Sequence, residues 1–244
     1  MIVVTGAAQG IGFAIAKQFA EQAGSVTLLD INADRLHQAT TELSSQGMKV
    51  ASTVCDVSNP AEVVDAFAKI AENRGVVDVL VNSAGVLRTS KVREIDEGEW
   101  DLVVDTNLKG TFFCSQSVLG GMTSQGYGKI VNIASMAGRA TSTLGGAHYT
   151  AAKAGVLGLT RHLARESAPY HVNVNAVCPG IVDTPMVRAV LTPDLADRVN
   201  AGIPFGRLAA PEEVAALVLF LSSDQAAYIT GSSVDIHGGE MIIQ

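Results

Sequence analysis

Long hydrophobic runs, aromatic side chains and clustered charge are all scarce in this chain of 244 residues. No apolar stretch reaches the ~18 residues a transmembrane helix needs. The N-terminus opens directly on Ile2-Val3-Val4-Thr5-Gly6 with no basic segment before it, so a secretory leader is not expected. These features predict a soluble, cytoplasmic protein with no membrane partner. Lysine and arginine number 17 against 24 acidic residues, a formal charge of −7, and form no cluster, which argues against nucleic acid as a partner. The three cysteines, Cys55, Cys114 and Cys178, are isolated and odd in number, so no disulfide framework is expected. Neither they nor the five histidines fall at metal-ligand spacing, and no metal site is predicted.

What is abundant is glycine, 24 residues, in a sequence that is 48% hydrophobic. That balance suits a layered fold with tight turns and close helix–strand approaches. Ile2-Val3-Val4 reads as a buried strand, followed by Thr5-Gly6-Ala7-Ala8-Gln9-Gly10-Ile11-Gly12 and a helical pattern from Phe13 to Ala23. A second strand, Ser25 to Leu29, ends on Asp30. A strand, a glycine turn, a helix and a second strand tipped with an acid match the requirements of dinucleotide binding. Gly6 allows the turn, Gly10 and Gly12 allow close approach, and the helix N-terminus presents N–H donors to a pyrophosphate. Gln9 and Ile11 lie in the same turn. Asp30 is placed to accept from an adenosine ribose and would repel a 2′-phosphate, which favours NAD over NADP.

Helices are predicted from Ala33 to about Gln46 and Ala61 to Asn73, with strands at Lys49–Val54 and Val76–Val81. Between them, Asp56, followed by Val57, is open to two readings. It either caps an adenine amine or serves the helix entry at Ser58-Asn59-Pro60. The fourth strand closes on Asn82-Ser83-Ala84-Gly85, small residues against which a flat ligand can lie. Glu99 to about Ser124 reads as mostly helix, and Asn107 within it, slightly unfavourable by propensity, either bonds something specific through its side chain or is a tolerated polar residue. Further strands, Lys129–Ile133 and Val172–Val177, end at Ser135 and at Pro179-Gly180. They flank a helix from Tyr149 to about Ser167. From Ile181 to Ala209 three prolines interrupt the pattern, which suggests a segment laid over the carboxyl edge of the sheet. A helix from Pro211 to about Ser222 and a strand at Ser233–Ile236 complete the chain.

Strands and helices in alternation predict one α/β domain, a Rossmann-like doubly wound parallel sheet with helices on both faces. The suggestive residues fall just past strand carboxyl ends, the side on which open α/β sheets bind ligands. On the helix after Ser135, Tyr149 and Lys153 stand four residues apart on one face. A neighbouring cation favours phenolate, so the pair can supply a base near neutral pH.

With these residues assembled, the sequence resembles the short-chain dehydrogenase/reductase family over essentially its whole length. The matching motifs are Thr5-Gly6-x3-Gly10-x-Gly12, Asp56, Asn82-Ser83-Ala84-Gly85, Asn107, Ser135, Tyr149-x3-Lys153 and Pro179-Gly180 with Thr184. Pro204-Phe205-Gly206-Arg207 and Gly238-Gly239 resemble the 3-oxoacyl-carrier-protein reductase and polyol or glucose dehydrogenase branch. The resemblance implies NAD-dependent interconversion of a secondary alcohol and a ketone. In it Tyr149 is the general acid/base, Lys153 lowers its pKa and holds the nicotinamide ribose, Ser135 binds the substrate oxygen, and Asn107 holds a water in a proton relay. The main chain at Ile181 and the Thr184 hydroxyl lie near the carboxamide. It also implies a homotetramer or homodimer. The alternatives are ketoacyl reduction of the acyl-carrier type and, from a different class, a non-catalytic dinucleotide sensor. Ser135 and Tyr149 are one residue further apart than the family's usual spacing, which leaves Ser142 as a rival serine. The substrate pocket is expected from Gly85–Ser90, Ala137–His148 and Asp183–Arg207, with Leu87, Leu144, Met186, Val187 and Val190 as an apolar wall. Arg88, Arg139 and His148 are candidates to reach a polar group.

Overall fold

Central strands covered on both faces must be apolar or pair their polar side chains internally, and here the buried Asn82, Lys129, Asn132, Asn173 and Asn175 all bond to other protein groups. The structure, a computed structural model, describes residues 1–22 and 24–241. Its strands are β1 (Ile2–Thr5), β2 (Val26–Asp30), β3 (Val50–Val54), β4 (Val79–Asn82), β5 (Gly128–Ile133), β6 (Val172–Pro179) and β7 (Ser233–Ile236). Every residue of β4, β5 and β6 is buried, whereas β3 and β7 are partly exposed. The difference follows from position. All seven pair in parallel in the order β3-β2-β1-β4-β5-β6-β7, which leaves β3 and β7 at the edges.

Helices α1 (Gly10–Glu21), α2 (Ala33–Ser45), α3 (Pro60–Arg74), α4 (Glu97–Val104), α5 (Gly110–Gln125) and α6 (Ala147–Ser167) alternate with the strands. Asn32, Asn59 and Asp96 cap α2, α3 and α4 by accepting main-chain N–H bonds, and Pro60 occupies the first turn of α3. One core joins α1, α2 and α9 (Pro211–Leu221) to one face of the sheet. A second core joins α3, α5 and α6 to the other. The fold class is therefore the doubly wound sheet expected. Ala23, the expected end of the first helix, lies outside the described residues; α1 itself runs to Glu21.

Three boundaries differ in instructive ways. The fourth strand begins at Val79 rather than Val76, because its first pairing partners are Ile2 at the start of β1 and Lys129 near the start of β5. The helical stretch expected over Glu99–Ser124 is two helices joined by a π-turn, Asp105–Lys109, in which the Gly110 N–H reaches the Asp105 carbonyl. The bulge surrounds Asn107, whose amide donates to the Val103 and Val86 carbonyls, both at 2.9 Å. Lastly, Ile181–Ala209 is not mere loop. It contains α7 (Pro185–Arg188) and α8 (Pro193–Gly202) and returns to its origin, where the Ala209 N–H bonds to the Ile181 carbonyl at 3.1 Å.

Candidate active site

The order of strands reverses between β1 and β4, and the chain leaves these two strands toward opposite faces of the sheet. A crevice opens there at the carboxyl ends. Thr5 holds it in shape: its hydroxyl accepts the N–H groups of Ser83 at 3.0 Å and Ala84 at 3.1 Å. Gly6 takes φ +64°, and a Cβ there would stand 2.7 Å from the Ala84 Cα. A Cβ on Gly12 would be driven into the Gly6 carbonyl. The turn thus lies flat against β4, and α1 begins with no side chain capping it and no acid in its first turn. Its N–H donors are left for an anion.

Two hollows meet at this turn and share Gly6, Gln9, Ser83 and Gly85. The outer one is walled by Asp30, Asn32, Arg35, Asp56, Val57 and Ala84. Asp30 is fixed by the Ala8 N–H on one oxygen and the Asn32 N–H on the other, at 3.1 and 2.9 Å. The Arg35 guanidinium donates to the Gln9 side-chain carbonyl above it. Asp56 serves the helix entry. It accepts from the Ser58 N–H and hydroxyl at the entry to α3, and it also walls the hollow.

The inner hollow gathers Gly10, Ile11, Gly12, Asn107, Ser135, Tyr149, Lys153, Pro179, Gly180 and Thr184. The Lys153 ammonium is buried, donates to the Ile133 carbonyl at 2.8 Å, and stands 5.7 Å from the centre of the Tyr149 ring. Burial pulls its pKa down to about 8. The Asn107 Oδ1 is buried without a hydrogen-bond partner among the described residues, and Gly85 permits its approach. Ser135 extends from the end of β5, and its oxygen accepts the Ala137 N–H at 3.1 Å. Burial pushes the Tyr149 phenol above its ordinary range, and hydrogen bonding with Ser135 partly opposes this. The direct lowering expected from Lys153 is therefore not what governs the phenol here; desolvation is the larger effect.

Beyond Ser135 and Tyr149 the crevice continues into a third hollow with Leu87, Leu144, Met186, Val187 and Ile181 along its walls. Val190 is not among its lining residues. Ser142 lines it but its oxygen accepts the Gly145 N–H at 2.7 Å, and of the two serines Ser135 is the one that lines both this hollow and the inner one. The three basic candidates are otherwise engaged. Arg139 pairs with Asp235, Arg88 turns to the Leu87 carbonyl, and His148 is fully buried against Glu99.

Among the expected catalytic and cofactor-binding residues, Asn82 alone lines none of the three hollows. Its amide donates to Ser115 at 3.0 Å and Asn132 at 2.8 Å behind the sheet, so only its main chain faces the crevice side. Sequence reasoning missed Thr5 as the clasp between β1 and β4, the Glu99–His148 pair, Arg35, and Glu240, which lines the third hollow. Thr5 sat within a recognised motif, whereas the others depend on contacts between distant segments. Among the described residues no group of His, Cys, Asp and Glu is arranged to hold a metal, and no helix is long and apolar enough to cross a membrane.

A parallel sheet with a glycine turn at its switch point, opening onto a serine, a tyrosine and a buried lysine, defines a dinucleotide-dependent oxidoreductase. Comparison with known proteins agrees. A family model described as enoyl-(acyl carrier protein) reductase matches residues 6–240. The (2S)-[(R)-hydroxy(phenyl)methyl]succinyl-CoA dehydrogenase subunit BbsD of Thauera aromatica is 38% identical over 243 residues, covering 98% of this chain and 96% of its own. The 3-oxoacyl-[acyl-carrier-protein] reductase FabG of Thermotoga maritima is 38% identical, with 98% and 97% covered. A 3-oxoacyl-[acyl-carrier protein] reductase of Brucella melitensis, solved with bound NAD, superposes with a TM-score of 0.91 at 37% identity, covering 99% of this chain and 91% of that one. The chain belongs to the short-chain dehydrogenase/reductase family, in its FabG branch. It is an oxidoreductase of alcohol and keto groups that uses a nicotinamide dinucleotide.

Proposed function

We propose that the enzyme uses NAD to interconvert a secondary alcohol and a ketone, with Tyr149 as the general acid/base. The observation that carries this reading is the convergence of Asn107, Ser135, Tyr149 and Lys153 on one hollow at the sheet's switch point. The residues present fit the dinucleotide. The uncapped start of α1 and the bare glycine turn suit a pyrophosphate, and the fixed carboxylate of Asp30 suits ribose hydroxyls while opposing a 2′-phosphate. Gly6, Gln9, Gly10, Ile11, Gly12, Asp56, Val57, Ala84, Gly85, Pro179, Gly180, Ile181 and Thr184 complete the binding surface, with Asn82 contributing through its main chain.

A nicotinamide dinucleotide held there would supply the hydride chemistry; the protein orients the reactants and moves the proton. In reduction, Tyr149 donates its phenolic proton to the carbonyl oxygen, and a phenol held above its ordinary pKa keeps that proton available. In oxidation it withdraws the proton from the alcohol. Ser135 holds the substrate oxygen beside the phenol. Lys153 steadies the phenolate that forms and binds the nicotinamide ribose. The unpaired Asn107 Oδ1 is an acceptor for a water that links Lys153 to solvent.

Asp30 and the NAD preference favour the oxidative direction. Reduction of a 3-oxoacyl thioester is the second reading, supported by the names of the relatives above. A cytoplasmic homotetramer or homodimer, with no nucleic-acid partner, completes the proposal. An NADH absorbance assay over polyols, sugars, hydroxysteroids and 3-hydroxyacyl thioesters tests it. Turnover with NAD on at least one class is expected, and none on any class with cofactor bound would overturn it.

A further inference from the structure

The third hollow is otherwise apolar and hydroxylic, and beyond Tyr149 one ionisable side chain reaches it, Glu240. The backbone delivers it there. Past Ile236, Gly238 and Gly239 take φ +60° and +85°, and the Glu240 N–H closes the turn on the His237 carbonyl at 3.1 Å. The carboxylate comes to lie beside Gly180, where an added Cβ would stand 3.0 Å from its Oε2. That oxygen is buried without a hydrogen-bond partner among the described residues. The two orphaned acceptors of residues lining the crevice therefore stand on either side of the reacting hydroxyls, Asn107 toward the cofactor and Glu240 toward the substrate. Buried polar atoms are rarely left unpaired, and those that are mark places where a partner arrives. Thr143, Ile181 and His237 favour the charged carboxylate, but burial outweighs them and raises its pKa. Among the described residues no lysine or arginine lines this hollow, and the basic group acting on the carboxylate is His237, packed against Gly180 behind it.

We propose that Glu240 is a specificity-determining residue: it selects substrates bearing an uncharged hydrogen-bond donor, a hydroxyl or an amide, beside the reacting carbon, and rejects those bearing a carboxylate there. A donor satisfies the orphaned acceptor. A second carboxylate meets a like charge that no lysine or arginine lining the hollow offsets, so discrimination comes from repulsion as well as attraction. The inference rests on the oxidoreductase reading above and names the class of substrate for that site.

Acetoacetamide and acetoacetate, nearly identical in shape, separate the two effects. With NADH, the wild-type enzyme is expected to favour the amide in kcat/KM by about tenfold or more. In Glu240→Gln the preference should shrink several-fold while NADH affinity is retained. Equal rates on the two ketones, or a preference unchanged in Glu240→Gln, would overturn the assignment. Thermal shift of the NADH complex by each compound gives an independent readout. Stabilisation by the amide alone, lost in Glu240→Gln, with neither compound reduced, supports Glu240 and counts against the reaction. The absence of any such binding preference counts against Glu240.

Discussion

The His148 imidazole accepts the main-chain N–H of Tyr149 through Nδ1 at 2.8 Å, while its Nε2 stands 2.8 Å from a Glu99 carboxylate oxygen. Because Nδ1 accepts, the proton sits on Nε2 and is donated to Glu99. The other Glu99 oxygen accepts from the Ser90 hydroxyl at 2.9 Å, and these two bonds, His148 first, hold its carboxyl below the usual range. The pair therefore ties the first turn of α6 to the loop after β4, whose Leu87 walls the substrate hollow. In the proposed mechanism His148 is a positioning residue, acting through the Tyr149 main chain.

Asparagine and glutamine separate the two ends of that imidazole. His148→Asn places an acceptor near Nδ1 and should retain most of kcat. His148→Gln reaches toward Glu99 but leaves the Tyr149 N–H unpaired, and should lose about tenfold or more in kcat, since small misplacements are costly. Steady-state kinetics on both variants, with KM compared, checks the order.

Cofactor choice is predicted to turn on Asp30. Removing the carboxylate in Asp30→Ala takes away the ribose acceptor and the repulsion of a 2′-phosphate. NADH binding should weaken by about tenfold, ~1.4 kcal/mol, while NADPH binding improves. Fluorescence titration of both dinucleotides measures the change. An unchanged ratio would place the discrimination elsewhere, with Arg35 the next residue to vary.

Thr5→Val keeps the shape of the side chain but leaves the Ser83 and Ala84 amides without their acceptor. Unpaired N–H groups at this junction should cost about 1–3 kcal/mol each where solvent cannot replace the hydroxyl. Urea unfolding with the m-value held constant reads the loss, and cofactor affinity should fall with it.

Much of this was legible in the sequence because it depends on local pattern. The apolar runs of β1 and β2, the asparagine before Pro60, and the glycine turn each state their structure within a few residues. The π-turn was foreshadowed by Asn107, an unfavourable residue in a helix, but its register shift arises from bonds to Val86 and Val103 that no helical period shows. Glu240 and His148 could not be read at all in these roles. One depends on β7 ending beside Gly180, the other on α4 meeting α6. Nor did the Tyr149–Lys153 spacing reveal that burial raises the phenol's pKa, with the Ser135 hydrogen bond opposing it.

The central claim is that the Tyr149 proton is the one exchanged with substrate. Tyr149→Phe removes the hydroxyl and leaves the ring, Lys153 and the dinucleotide surface in place. On any alcohol or ketone the wild-type enzyme turns over, kcat should fall by about 10²–10⁴ while NADH affinity changes little. In the wild-type enzyme, oxidation should gain rate as pH rises toward the elevated phenol pKa, because the base form is then more populated, while reduction declines. A Tyr149→Phe enzyme that keeps wild-type kcat with cofactor bound would contradict the account.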